Sequence, residues 1–279
     1  MLTALERARE AADAIRSRTS IEARAVLILG SGLGGYAARV QDATVIPYTE
    51  LPGFLPSGVE GHAGRLVLGV HRGLPLAIFQ GRIHAYEGHS MEDVVHPLRC
   101  AWALGARTLV VTNAAGSLHQ GLQPGDLMLL RDHINLTGRN PLVGPNDPRM
   151  GPRFPDMTEV YTPALRAIAH AAAQDCGLHL EEGVYISVLG PTYETPAEVH
   201  MLHRLGGDTV GMSTVPEVIA ARHLGMEVLG LSCVTNLGAG LSGEALHHDE
   251  VQLVADRVKD GFAALMDGIC ARLAQRSAP

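Results

Sequence analysis

The chain has 279 residues, of which 46% are hydrophobic and 18% charged, and its formal net charge is −7. This length and apolar content allow a large buried core, and the lack of a linker or low-complexity segment predicts a single domain over residues 1–279. A negative charge without a basic run excludes nucleic acid and anionic membranes as main partners and favours a small ligand.

The N-terminal stretch MLTALERAREAADAIRSRTS alternates charged and apolar residues at helical spacing. It is neither the apolar core of a signal peptide nor a membrane span, so we expect a cytoplasmic protein. The cysteines lie far apart without a CxxC pair, which argues against a disulfide framework or a zinc knuckle. We expect four buried thiols at Cys100, Cys176, Cys233 and Cys270.

Short β-branched and leucine-rich runs recur along the chain and predict buried strands. The predicted strands span residues 25–30, 65–71, 75–81, 108–116, 126–136, 183–190, 208–214 and 227–236. The Pro- and Gly-rich stretch from Gly138 to Asp156 has no period and is too long for a plain connector. Loops of this length are usually functional.

Helix starts lie between several of the predicted strands. They are Ser90, Thr162 before Pro163, and the capping boxes Thr195 with Glu198 and Thr214 with Glu217. A last helix begins near Asp249, and an apolar stripe from Val251 to Ile269 should dock on the sheet. The interleaving of strands and helices predicts an α/β fold with a central mixed, largely parallel β-sheet surrounded by α-helices.

The stretch VLILGSGLGG at residues 26–35 runs an apolar strand into a glycine-rich turn. Its glycines fit the GxGxxG spacing of a dinucleotide-binding loop, but Ser31 and the short segment that follows also suit a phosphate ion. That segment is shorter than a usual crossover helix, and Glu50 lies in a Pro-flanked loop rather than at a strand end. The dinucleotide interpretation is therefore weak.

Ligands of open α/β sheets bind at the carboxyl ends of the strands. After strand 75–81, Arg82, His84 and Tyr86 share one face if the extended conformation persists. Alone, Arg82 would more often form a surface salt bridge, and His84 would be a hydrogen-bonded core histidine. Together they suit an anion beside a hydroxylated ligand, with Arg82 exposed in a cleft.

Other strand ends suit the same anion. The small residues around Ala114 leave backbone N–H groups accessible, although a simple tight turn explains them about as well. Ser213 lies beside the predicted helix start at Thr214, where partial positive charge favours phosphate. Ser31 is placed similarly after the first strand. Four strand ends thus converge on the chemistry of one anion.

A second group suits a heterocycle. Glu194 lies beside Tyr193 just before a helix, and Asn236 closes the last predicted strand. A carboxylate only accepts hydrogen bonds, whereas a carboxamide donates and accepts, so the pair can recognise a ring that carries both groups. The structural alternatives are helix-dipole stabilisation for Glu194 and a turn cap for Asn236. Together with the anion group, the pair suggests a nucleoside plus phosphate.

Ordered polar motifs along nearly the whole chain resemble those of the trimeric purine nucleoside phosphorylases. They are GSGLGG, GHAGRL (61–66), QGRIHAYEG (80–88), TNAAGS (112–117), DHINL (132–136), GPNDPRMGPRFPDM (144–157), GPTYET (190–195), VGMSTVPEVIAARH (210–223) and CVTN (233–236). The resemblance implies a pentosyltransferase of purine salvage. Its expected reaction is the reversible phosphorolysis of inosine, guanosine and their 2′-deoxy forms to the free purine and (deoxy)ribose 1-phosphate.

The resemblance also implies roles for individual residues. The expected phosphate ligands are Ser31, His62, Arg82, His84, the N–H of Ala114, and Ser213. The expected ribose contacts are Tyr86, Met212, His248 and, from a neighbouring subunit, Phe154. The expected purine contacts are Tyr193, Glu194 and Asn236, and the catalytic residues are Asn236, Glu194 and His84. A homotrimer is implied, with phosphate as co-substrate and no metal or organic cofactor.

Some positions depart from the family pattern. His247 and His248 stand where the pattern has one histidine, and we assign the ribose 5′-hydroxyl to His248 because it precedes an acidic pair, with His247 as the alternative. Tyr193 stands where relatives often carry Phe, and the partner of its hydroxyl is open. Leu237 after Asn236 weakens contact with the purine 6-position from that side.

Rival functions fit the sequence less well. A serine hydrolase would need GxSxG, and the segment around Ser213 lacks the final glycine. A metalloenzyme could use His200 and His203, or His247, His248 and Asp249, but no HExxH or comparable ligand set accompanies them. A non-catalytic nucleoside-binding protein differs only in turnover. Within the enzymes, the alternative is a methylthioadenosine phosphorylase, which position 236 discriminates.

Overall fold

The computed structural model describes residues 2–59, 61–243 and 249–276. Within these ranges the strands are β1 Ala25–Leu29, β2 Gln41–Pro47, β3 Arg65–His71, β4 Leu74–Gln80, β5 Thr108–Ser117, β6 Leu127–Asn135, β7 Glu181–Ser187, β8 Thr209–Gly211 and β9 Glu227–Leu237. The α-helices are α1 Ala4–Arg16, α2 Met91–Ala103, α3 Pro163–Asp175, α4 Pro196–Arg204, α5 Val215–His223 and α6 Asp249–Gln275. Short 3-10 helices span Gly34–Arg39, Tyr48–Glu50 and Ala85–Glu87.

The strands form one mixed sheet in the order β2-β3-β4-β1-β5-β8-β7-β6-β9, and β9 also pairs with β5. The pairs β1–β4, β1–β5, β5–β9, β6–β7 and β7–β8 are parallel. The pairs β2–β3, β3–β4, β5–β8 and β6–β9 are antiparallel. The predicted α/β fold with a mixed sheet is confirmed. The sequence did not predict that five of the strands close into a ring, in the order β5, β8, β7, β6 and β9.

All of the predicted strands are present, and β2 is the strand that the sequence pattern missed. Along Gln41–Pro47 only Ile46 is buried, so the segment lacks the apolar run by which the other strands were recognised. It pairs with β3 at the edge of the sheet, where one neighbour is sufficient. An edge strand that buries one side chain carries little hydrophobic signal.

Residues on β1 show how the sheet separates two apolar layers. Val26 and Ile28 belong to a cluster that includes residues of α1, α2 and α5. Leu27 and Leu29 face the other way, into a cluster with residues of α3 and α6. Because successive strand residues point to opposite faces, one buried strand supplies both layers. Burial of each such side chain contributes about 1.5–3 kcal/mol before conformational entropy is counted.

The helix starts follow the predicted signals except at one position. Ser90 and Thr195 accept hydrogen bonds from the backbone N–H groups of Asp93 and Glu198. The predicted capping box of Thr214 with Glu217 is wrong, because the Thr214 side chain makes no cap bond. On α6 the predicted stripe is buried at Val254, Phe262, Leu265 and Ile269, while the Val251 side chain lies outside the described part of the chain.

Two further expectations concern thiols and membranes. Cys100, Cys233 and Cys270 are buried as expected, whereas Cys176 is only half-buried, and all four are free thiols. Among the helices in the described ranges, none is both long enough and apolar enough to span a bilayer. The loop from Gly138 to Asp156 contains neither helix nor strand.

Candidate active site

A cavity of about 330 Å³ opens where several strands of the sheet end. It is lined by ten of the residues that the sequence predicts for the site: Ser31, Arg82, His84, Tyr86, Ala114, Tyr193, Glu194, Met212, Ser213 and Asn236. They come from segments that lie far apart in the chain, from Ser31 to Asn236. The fold therefore brings the predicted anion group and the predicted heterocycle group into one space.

The glycine-rich turn supplies Ser31. A Cβ at Gly30 would lie 2.7 Å from the Cα of Asn113, so glycine is needed for β1 to end against β5. The Gly30 N–H donates to the Thr112 hydroxyl at 3.1 Å. Only a 3-10 helix, Gly34–Arg39, follows the turn, in agreement with the weak dinucleotide interpretation.

His62 lies behind Ser31 rather than in the cavity lining. Its Nδ1 is 2.7 Å from the Arg82 carbonyl oxygen, and its Nε2 is 3.1 Å from Ser31 Oγ. Nδ1 is also 3.1 Å from the Arg82 backbone N. Because the shorter contact is to a carbonyl, which only accepts, Nδ1 carries the proton and donates to it. Nε2 then accepts from the Ser31 hydroxyl. Burial, together with neighbouring His84, lowers the pKa of His62 to about 4, so the ring is neutral at neutral pH.

Arg82 is not the exposed cleft residue that the sequence suggested. It is 6% exposed, and its Nη1 forms an ion pair with Glu217 Oε1 at 3.1 Å. Nη1 also lies 3.4 Å from Thr214 Oγ1, and Nη2 donates to the Thr112 carbonyl. The guanidinium is therefore a buried, hydrogen-bonded cation with one side in the cavity.

The extended conformation does not persist from Arg82 to Tyr86. Strand β4 ends at Gln80, and Ala85–Glu87 forms a 3-10 helix, because Glu87 Oε1 accepts from the His84 backbone N–H at 2.6 Å. The His84 and Tyr86 rings instead stack with centroids 4.8 Å apart. The 3-10 turn, rather than strand alternation, thus brings the His84 and Tyr86 side chains together.

Glu87 sets the protonation of His84. Its Oε1 is 3.1 Å from His84 Nδ1. Burial raises the pKa of Glu87, but hydrogen bonds from His84 and the Gly58 N–H outweigh burial and bring the pKa down to about 2. Since the carboxylate only accepts, the Nδ1 of His84 carries a proton. Burial lowers the pKa of His84, so its Nε2 holds a lone pair rather than a second proton.

Ser213 is held by a strained turn. Thr214 has φ 73° and ψ −54°, and the Val215 N–H donates to the Ser213 carbonyl at 2.8 Å, which closes a γ-turn of the rare positive-φ type. Asn113 Nδ2 donates to Thr214 Oγ1 at 2.9 Å, and Ser213 Oγ lies 3.1 Å from the same oxygen. These contacts hold Thr214 in a positive-φ backbone conformation that β-branched residues rarely adopt.

Asn236 lies at a bulge in β9. Ala115 pairs with Val234 and Gly116 with Asn236, so Thr235 is the extra residue. Bulges next to ligand sites re-aim side chains. Asn236 Nδ2 donates to the Leu237 carbonyl at 3.1 Å, which identifies the amide's nitrogen end, and its second N–H has no acceptor among the described residues. A Cβ at Gly116 would lie 3.0 Å from Nδ2, so glycine leaves room for the amide.

Glu194 lies just ahead of α4, next to Tyr193, which is 40% exposed. Burial raises the pKa of Glu194, and the charge of Glu198 adds to the effect. Burial likewise raises the pKa of Tyr193, followed by the charges of Glu194 and Glu250. Tyr193 and Glu194 are therefore partly desolvated groups at the rim of the cavity.

Phe154, a predicted ribose contact, is not in the cavity lining. Phe154 is 87% exposed and lies beside Arg153, whose guanidinium carbon is 5.8 Å from the ring centroid. His247 and His248 lie outside the described residues, so their assignment stays a prediction. Within those residues, no three His, Cys, Asp or Glu side chains come together in an arrangement that could hold a metal ion.

Sequence reasoning missed the acids behind the site. Glu87 follows His84 by three positions, which is within reach of a single turn. Glu217 is the one acidic residue of α5, a helix that is buried on nearly every side. A lone carboxylate in such a helix requires a cation, and that signal was available in the sequence.

Comparisons with known proteins agree with this geometry. A family model described as the phosphorylase superfamily matches residues 24–271. The chain is 49% identical over 273 residues to "Purine nucleoside phosphorylase 1" of Geobacillus stearothermophilus, with 98% of each chain covered. The comparisons thus favour this family over the methylthioadenosine phosphorylases.

Solved structures of Schistosoma mansoni purine nucleoside phosphorylase share the fold. The complex with inosine has a TM-score of 0.92 at 39% identity and covers 97% of this chain and 98% of that one. The complex with adenosine has a TM-score of 0.92 at 40% identity and covers 98% and 99%. The chain therefore belongs to the purine nucleoside phosphorylases of the phosphorylase superfamily.

Proposed function

We propose that the cavity binds phosphate at its Arg82 side and a 6-oxopurine nucleoside between Tyr86 and Glu194. As a purine nucleoside phosphorylase, the chain catalyses reversible phosphorolysis of purine nucleosides to the free base and pentose 1-phosphate. The observation that carries the proposal is that Arg82, Glu194 and Asn236 line the same cavity of about 330 Å³.

The proposed phosphate site combines one cation with hydrogen-bonding groups. Arg82 supplies N–H donors on its cavity side, and the N–H of Ala114 and the hydroxyl of Ser213 add neutral donors. His84 differs, because its Nε2 lone pair accepts and therefore pairs with the O–H of a protonated phosphate. Ser31 turns its proton from His62 to the phosphate when the anion arrives.

The proposed mechanism stabilises separated charge. As the glycosidic bond breaks, positive charge develops on the ribose, which Tyr86 and Met212 contact, and the phosphate lies against it. Negative charge develops on the purine, and the Asn236 amide offsets it by donating at N7 while Glu194 accepts from the N1 hydrogen. Preorganised contacts of this kind contribute roughly 2.7–4 kcal/mol each in the transition state.

The overall activity is tested by release of hypoxanthine from inosine with and without phosphate. Release that depends on phosphate supports the proposal, and ribose 1-phosphate should appear in equal amount. Hydrolysis that proceeds without phosphate would contradict it, as would inosine binding without turnover. EDTA should have no effect, because we propose that the reaction needs neither a metal nor an organic cofactor.

Inosine binding should weaken at mildly acidic pH. The pKa of Glu194 is raised, so its carboxylate is protonated at a higher pH than an ordinary glutamate, and a protonated carboxyl does not accept from the N1 hydrogen in the same way. The KM for inosine should therefore rise as pH falls from about 7 toward about 4. Glu194→Gln keeps a carbonyl acceptor but does not titrate there.

The control for this pH profile is the glutamine variant itself. Its KM for inosine should be higher than that of the parent at neutral pH, and the acid-dependent rise should be absent. A parent KM that stays constant over the same range would contradict the role of Glu194, as would a glutamine variant with an unchanged acid limb.

We also propose a homotrimer in which Phe154 completes the ribose site of a neighbouring chain. Support comes from the exposure of apolar side chains on one long loop, since Val143 is 81% and Phe154 87% exposed. Large exposed apolar groups mark interfaces. Head-to-tail contacts that close a ring of three would use such a loop in every subunit.

Phe154→Ala should reduce kcat/KM for inosine by at least about tenfold, because an aromatic contact to the nucleoside is lost. Mixed trimers give the sharper measurement. When Phe154→Ala chains are co-assembled with Arg82→Ala chains, a site with its own Arg82 and a neighbour's Phe154 regains activity. Light scattering should give the mass of three 29.6 kDa chains. A fully active monomer, or no recovery in mixed trimers, would reject the proposal.

The remaining proposals concern the cell. We propose a cytoplasmic enzyme of purine salvage that acts as one domain over residues 1–279. Four free thiols suit a reducing compartment, and the continuous hydrogen-bonded sheet suits a single domain.

A further inference from the structure

Glu217 lies 3.1 Å from Arg82, a proposed phosphate ligand, yet it does not line the cavity. It is 2% exposed and belongs to α5, in which Val215, Val218 and Ile219 are also buried. A carboxylate in such surroundings is costly unless a cation and hydrogen bonds compensate it. Its compensating cation is Arg82, with Oε1 3.1 Å from Nη1.

The contacts of Arg82 leave one edge of the guanidinium free. Arginine has five N–H donors in a fixed fork. Nη1 faces Glu217 and Thr214, and Nη2 donates to the Thr112 carbonyl. The Nε hydrogen and the second Nη2 hydrogen have no acceptor among the described residues. The Nε and Nη2 side of a guanidinium is an edge that can bind an oxyanion in a bidentate manner.

The ion pair is not arranged for its own strength. Glu217 uses a single oxygen toward Arg82, and its Oε2 is buried without a partner in the described part of the chain. An end-on bidentate pair with Nη1 and Nη2 would satisfy both carboxylate oxygens, but here Nη2 donates to the Thr112 carbonyl instead. Glu217 thus contacts the guanidinium through Nη1 alone, and Nε has no acceptor among the described residues.

We propose that Glu217 is a positioning residue: it holds the Arg82 guanidinium by Nη1 so that the Nε and Nη2 edge faces phosphate. The inference rests on the proposed phosphate site. The γ-turn at Thr214 adds a second restraint on the same nitrogen, at 3.4 Å. The contacts from Glu217 and Thr214 therefore fix the direction of the guanidinium, and phosphate contacts Arg82 but not Glu217.

The test is Glu217→Gln, which keeps size and removes the charge that holds the guanidinium. The KM for phosphate should rise by about 10–100-fold, as is typical when a group that orients a ligand-binding side chain is lost. The KM for inosine, measured at saturating phosphate, should stay unchanged. Glu217→Asp, which keeps the charge on a shorter side chain, should give a smaller rise and decides the test if the glutamine variant does not fold.

Glu182→Gln is the matched control, because Glu182 pairs with Arg166 and His170 away from the cavity. It should leave the KM for phosphate unchanged. An unchanged phosphate KM in folded Glu217→Gln, whatever its Tm, would make the residue purely structural and overturn the proposal. A lower phosphate KM would also overturn it, because the carboxylate would then act by offsetting the charge of Arg82.

The Arg82→Ala variant separates this inference from the phosphate site itself. If Arg82→Ala raises the phosphate KM and the Glu217 variants do not, only the positioning role fails. If neither change affects the phosphate KM, the phosphate site is wrong.

Discussion

Inosine is expected to exceed adenosine in kcat/KM by as much as about 10⁴–10⁵-fold, because a site built on hydrogen bonds rejects a mispaired analogue strongly. A 6-oxopurine carries a hydrogen on N1, which Glu194 accepts in the proposed site. Adenine presents a lone pair there, which faces the carboxylate with repulsion. In the proposed site Asn236 donates to N7 or O6 of a 6-oxopurine through its second N–H, which has no acceptor among the described residues.

Asn236→Asp should move the preference toward adenosine. An ionised aspartate cannot donate to N7 but accepts from the 6-amino group, so inosine should lose about 10–100-fold in kcat/KM, the equivalent of one hydrogen bond to a charged group. Steady-state kinetics with both nucleosides on both proteins measure the shift. Asn140→Asp is the matched control, because its Oδ1 accepts from the Leu142 N–H outside the cavity.

Kinetics rather than crystals must decide this prediction. The Schistosoma mansoni relative has been solved with adenosine as well as with inosine, so occupancy of a site does not rank substrates. Comparable kcat/KM for the two nucleosides in the parent protein would remove the proposed roles of Glu194 and Asn236.

Arg82→Ala is expected to raise the KM for phosphate at least about tenfold, since a hydrogen bond to a charged group contributes about 1.5–3 kcal/mol. It should also destabilise the fold by about 3–5 kcal/mol, because Glu217 is left buried and uncompensated. Phosphate titrations measure the KM, and denaturant unfolding measures the free energy of unfolding.

A double variant separates the two effects. Arg82→Met with Glu217→Leu replaces the buried pair by apolar side chains of similar size, which should restore most of the stability and none of the phosphate affinity. Arg166→Ala, which breaks an ion pair away from the cavity, is the control for a change in stability alone. A folded Arg82→Ala variant with the parent's phosphate KM would remove Arg82 from the site.

The parts of this molecule that the sequence predicts are those with local signals. Val26 to Leu29 form an unbroken apolar run because both faces of β1 are buried, and Ser90 and Thr195 cap their helices through residues three positions away. The ten predicted residues that line the cavity lie at the ends of such strands or match family motifs.

What the sequence does not predict depends on long-range geometry. Arg82 and Glu217 are 135 positions apart, and no local pattern connects them. The sequence instead predicts a capping box for Glu217, since Thr214 stands three positions before it. The structure shows that the Thr214 hydroxyl contacts Asn113 and Arg82 and caps nothing. The bulge that aims Asn236 arises from pairing between β5 and β9.

The γ-turn at Thr214 bears on how far this fold could be stabilised without loss of turnover. Glycine adopts positive φ freely, so a chain selected for folding alone would place glycine there and recover about 1–3 kcal/mol of strain. Glycine has no hydroxyl, however, and the Thr214 hydroxyl accepts from Asn113 at 2.9 Å and lies 3.4 Å from Arg82. Stability and activity are thus traded against each other at a single residue, and engineering for thermostability should leave position 214 unchanged.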